Sequence, residues 1–163
     1  MDMQTRVLAA AIVTVALIGS GGAAAQQDAT EHWEMVAMKG GALGWETESI
    51  VEDDDVFTVT RLMYFAAGQP FSNGDGAFTF LMQDISFDCL SDQFQLGDSM
   101  IMDADGEIVG NGEPDGQWLD VEVDTVEELL EAVVCYGESI GDIFEYDTSD
   151  AAMAGAKQIA LPE

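Results

Sequence analysis

Positive charge is what this sequence has least of: four Lys and Arg stand against 32 Asp and Glu in 163 residues, a formal net charge of −28. Nucleic acid and anionic lipid surfaces are both held by clustered basic side chains, so neither is an expected partner. A single His, His32, and two cysteines, Cys89 and Cys135, are too few donors for a Cys/His zinc centre. Their wide separation also excludes a C-x-x-C redox site. With only three Pro and no long Pro-rich or Ser-rich stretch, nothing marks a linker between two domains. Apolar residues, by contrast, make up 48% of the chain. That is more than a disordered acidic tail carries and suits one packed domain.

The first 25 residues read as an export signal. Arg6 gives a positive start, residues 7–18 carry no charge, and small residues from Gly19 lead to Ala23, Ala24 and Ala25 before Gln26. This is the three-part signal pattern with a small-x-small cleavage site. The uncharged run of 12 residues is shorter than the roughly 20 needed to span a bilayer. No Cys near the junction offers a lipid attachment point. The expected address is therefore the periplasm or the medium, with residues 26–137 as the folded domain and 138–163 as a partly disordered extension. Removing the segment takes away Arg6 and Asp2 together, leaving Lys39, Arg61 and Lys157 as the basic groups and the surplus unchanged. So many like charges repel, and stability is expected to rise with ionic strength.

Two cysteines in an exported chain are most simply one disulfide. Closing the loop between Cys89 and Cys135 stabilises the fold by about 4 kcal/mol in the chain-entropy picture.

Period-two alternation marks the strands. Segment 33–38 is the first. Segments 44–51 and 56–66 flank Glu52, Asp53, Asp54 and Asp55 as a hairpin. Segment 77–89 places Phe78, Phe80 and Met82 on one side and Leu81, Ile85 and Phe87 on the other. Segments 94–102 and 107–110 flank Asp103 to Gly106, and 117–123 alternates Leu119, Val121 and Val123 with acids. Short turns between them imply an antiparallel sheet.

One helix is predicted from Val126, Leu129, Leu130, Val133 and Val134, with Glu127, Glu128 and Glu131 on the opposite side. Thr125 and Glu128 form a capping box, and Gly137 is the stop. Cys135 falls off the aliphatic stripe, so either the helix loosens before it or the disulfide ties the helix edge to a strand. Beyond Gly137, Ile140, Ile143 and Phe144 offer one more turn or strand, and 147–156 is small and polar with a frayed end. The fold class is α+β: an antiparallel sheet of about six strands packed against a C-terminal helix tied by one disulfide.

The order of these features resembles the surface-adhesin protein E family of Gram-negative bacteria. The shared pattern runs from Trp33 to Tyr136: a Trp-bearing first strand, Glu48-Ser49-Ile50 before an acidic hairpin, Phe87-Asp88-Cys89, the Asp105-Gly106 turn, Trp118, and Val133-Val134-Cys135 ending a capped helix. The resemblance implies a sheet with a helix tethered through Cys89 and Cys135, a place in the cell envelope, and binding to an external macromolecule. The chain lacks a lipoprotein Cys and is strongly acidic.

Signs of catalysis are weak. Gly137-Glu138-Ser139-Ile140-Gly141 spells the G-x-S-x-G elbow, but it follows a helix and the lone His lies far upstream. Asp103-Ala104-Asp105-Gly106-Glu107 does not fit the spacing of a calcium loop, and a turn explains it. The acids at 52–55 suit weak cation binding at most. Met35, Met38, Met63, Met82, Met100 and Met102 fit sheet core better than a copper or haem ligand set, and His32 fits a surface position. The expectation is a non-catalytic envelope binding module with no cofactor or metal, whose partner is a protein or a cationic surface. The alternative is an acidic periplasmic protein that binds or senses cations.

Overall fold

Residues 30–71 and 76–162 are described by a computed structural model; the signal segment lies outside them. The alternating segments become β1 (Trp33–Met38), β2 (Gly41–Glu46), β3 (Val51–Asp53), β4 (Val56–Pro70), β5 (Ala77–Asp88), β6 (Gln93–Met102), β7 (Ile108–Gly112), β8 (Leu119–Asp120) and β9 (Ile143–Tyr146). All belong to one antiparallel sheet in the order β7-β6-β5-β4-β2-β1-β9, with β3 also on β4 and β8 on β6. Two helices, α1 (Val126–Tyr136) and α2 (Ser149–Ile159), cover opposite faces.

The nine strands exceed the seven alternating segments for two reasons. The segment expected as one strand over 44–51 is broken by a 3-10 turn at Thr47–Ser49, so β2 and β3 lie end to end along β4. Residues 143–146, expected only as one more turn or strand, pair with β1 as β9. The first hairpin survives the break: Asp53 faces Val56, and Asp54 takes a φ of 56° in the turn.

On one face, Val36, Leu43, Trp45, Val59, Ile85 and Phe87 meet Leu130 and Val134 of α1. Each large apolar side chain removed from water contributes about 1.5–3 kcal/mol. Thr125 caps α1 by accepting from the Glu128 N–H (3.2 Å), and the Glu128 carboxylate accepts from the Asp124 N–H (2.7 Å). Gly137, at φ 64°, ends the helix while its N–H and that of Glu138 reach back to Val133 and Ala132. The helix stays intact through Cys135, whose disulfide to Cys89 joins it to the end of β5 across a Cα separation of 5.6 Å. Of the two alternatives left open by the helical wheel, the tie to a neighbouring strand is the one realised.

The opposite face corrects the expectation of a frayed C-terminal extension. Residues 149–159 form α2, capped by Thr148 accepting from the Ala151 N–H (3.1 Å). Ala152 and Ala156 are fully buried against Trp33, Met35, Ala42, Leu62 and Phe80. Small residues let the helix backbone approach the sheet closely. Gly155 shows the limit, because a Cβ there would collide with the Tyr146 ring of β9. Past α2 the chain is also held: the Leu161 N–H donates to the Met38 carbonyl (3.1 Å), and the Gly40 N–H donates to the Leu161 carbonyl (3.0 Å). At the helix start, Glu31 accepts from both the Trp33 indole (3.1 Å) and the Ser149 N–H (2.5 Å), which together hold its carboxyl below the usual range.

Candidate functional site

The face that carries α2 changes character halfway along the strands. Leu62 and Tyr64 of β4 and Phe80 of β5 pack with the helix, but the same alternation continues into Thr58 and Thr60 on β4 and Asp84 and Ser86 on β5. These polar residues pair across the strands, Thr60 to Asp84 and Thr58 to Ser86, each at 2.7 Å. A register shift between β5 and β6 sets two β6 residues, Gly97 and Asp98, against Asp84. The shift brings Met100 opposite Met82.

The result is an open groove of about 460 Å3 lined by Thr60, Met82, Asp84, Asp98, Met100 and Glu113, with Gln83, Ser99, Asn111 and Gly112 completing it. Two thioether side chains and three carboxylates are thus offered together, and none of the lining residues is basic. Flexible, polarizable Met suits the stem of a long side chain, and carboxylates suit a cationic head group.

Across the α1 face runs a transverse polar row fixed by strand register: Glu145, Glu34, Trp45, Arg61 and Gln83 lie opposite one another on β9, β1, β2, β4 and β5. Arg61 is 4% exposed; it donates to Glu127 of α1 (2.8 Å) and to Gln83 (2.7 Å). This is the one ion pair among the described residues. A guanidinium brought into an apolar face needs such partners. Glu127, expected on the wet side of α1, instead clamps the helix onto the sheet.

Glu131 also departs from its expected exposure. It is 6% exposed and one of its carboxylate oxygens has no partner. Burial first, then the negative charges of Asp92 and Glu128, push its carboxyl up. Beside it the Tyr136 hydroxyl donates to Asp92 (3.1 Å), which raises the phenol.

Asp103 spends one carboxylate oxygen on the N–H groups of Asp105 (2.9 Å) and Glu107 (3.0 Å), closing its own turn. The acids at 52–55 sit at the exposed β3–β4 turn. Gly137 of the G-x-S-x-G spelling is the α1 cap, and Ser139 is exposed in the connection to β9. His32 is half-buried and lies beside Glu34 and Glu145, a meeting with no local signal because Glu145 comes from a strand more than a hundred residues away.

No protein-family model matches this chain, and no curated protein matches it. Among the described residues no helix is long and apolar enough to cross a membrane.

Proposed function

We propose that this chain is an exported, non-catalytic binding module of the cell envelope, built like surface-adhesin protein E, that engages a cationic protein partner through the groove between β4, β5, β6 and β7. The signal-like segment and the Cys89–Cys135 disulfide support an oxidising compartment, the periplasm or the medium. The observation that carries the reading is the pairing of Met82 and Met100 with Asp84, Asp98 and Glu113 in one groove without a base. Lys or Arg side chains of the partner lay their methylenes on the thioethers and direct their charges to the rim. The surrounding excess of acid steers such a partner to the surface and speeds encounter.

A lysine-rich peptide titrated against the chain tests this. Binding is expected to be saturable without added metal and to weaken as salt rises toward about 0.5 M, where screening acts within roughly 4 Å. No saturable binding at low salt refutes it.

A further inference from the structure

We infer that His32, Glu34 and Glu145 form a binding site for a first-row divalent transition-metal ion of the Zn2+ type. The inference is independent of the groove, which lies on the other face of the sheet. One nitrogen and two carboxylate oxygens from these residues lie within 4.8 Å of one another. Ligand atoms around a tetrahedral ion with bonds of about 2.1 Å stand about 3.4 Å apart, so small side-chain rotations close the set.

Three features of the surroundings point the same way. Glu34 and Glu145 are directly opposed in the β1–β9 pair, an arrangement in which like charges weaken a sheet unless a cation lies between them. The described basic side chains do not supply it: Arg61 is engaged with Glu127 and Gln83, Lys157 with the Ala104 carbonyl and the Phe80 ring, and Lys39 follows the far end of β1.

The donors are also held in place. The backbone N–H of His32 donates to Glu46 (3.1 Å), and its backbone carbonyl accepts from the Thr47 N–H (2.8 Å) and hydroxyl (3.0 Å). Glu34 accepts from the indole of the buried Trp45 (3.1 Å). That bond occupies one carboxylate oxygen and orients the other, the supporting role played by outer hydrogen bonds at metal sites. The exposure of Glu145 leaves the remaining coordination positions to solvent.

The donor set chooses the ion. Imidazole with carboxylate suits Zn2+, Cu2+ or Ni2+, whereas Ca2+ takes six to eight oxygens, more than these side chains present.

Calorimetric titration of the tag-free chain with Zn2+, in a millimolar Mg2+ background that occupies the diffuse acidic surface, tests the site. One equivalent is expected to saturate, with affinity lowered at least about tenfold by His32→Ala and by Glu145→Gln, and unchanged by Asp84→Asn with Asp98→Asn in the groove. Equal binding by the wild type and either site variant overturns the inference, as does no saturable heat above the Mg2+ background. A second readout needs no variant. The ring resonances of the single His are expected to broaden with substoichiometric Co2+, and unaffected resonances overturn the assignment.

Discussion

The two faces of the sheet are closed by helices of equal length, 11 residues each, but by different physics. α1 brings Leu and Val side chains, a disulfide, and an acid that holds a buried Arg. α2 brings Ala and Gly, no covalent tie, and a backbone pressed close to the strands. The bulky seal tolerates polar groups beneath it. The close one needs small residues and leaves half of its face open. The groove lies in that open half.

The comparison breaks most directly at the disulfide. Replacing Cys89 and Cys135 with Ser is expected to lower stability by about 4 kcal/mol, read from the denaturant midpoint. A loss well below about 1 kcal/mol would mean that packing alone holds α1. On the other face, Gly155→Ala is expected to destabilise by about 1–3 kcal/mol because the new methyl meets Tyr146. The sign is the diagnostic, since the same change at an exposed helical position stabilises by about 1 kcal/mol. A rise in the midpoint would show that α2 does not approach the sheet so closely.

The smallest expected effect concerns Glu131 on α1. Its raised carboxyl means that the folded chain keeps its proton to higher pH than the unfolded chain. Stability therefore falls as pH rises from the ordinary carboxylate value, near 4.3, through the folded value. Glu131→Gln is expected to stabilise by about 1 kcal/mol at pH 7, as a buried negative charge and its repulsion from Asp92 and Glu128 are removed, with the gain vanishing below about pH 4. A gain of the same size at both pH values would assign the effect to packing rather than charge.

Much of the α1 side was legible in the sequence because its signals are strong: five aliphatic residues at helical spacing, a Thr125 cap and a Gly137 stop. The hairpins 52–55 and 103–106 were equally clear from their polar turns. α2 was missed because alanine buries without registering as strongly apolar, although Thr148, Asp150 and Lys157 mark its ends. β9 was only half seen because it is a short edge strand, with Ile143 and Phe144 still partly exposed. The groove was not legible at all. It depends on a register shift at Gly97 and Asp98 that brings Met100 opposite Met82, and no local pattern reveals a shift between two strands.

The most direct test of the groove compares two variants of equal net charge. Asp84→Asn with Asp98→Asn neutralises two groove acids, and Glu52→Gln with Asp53→Asn neutralises two at the distant β3–β4 turn. With a lysine-rich peptide at fixed low salt, the groove pair is expected to weaken binding at least about tenfold, or about 1.4 kcal/mol, while the turn pair changes it only slightly. Equal losses in the two variants would overturn the groove as the binding site, because binding would then follow total charge.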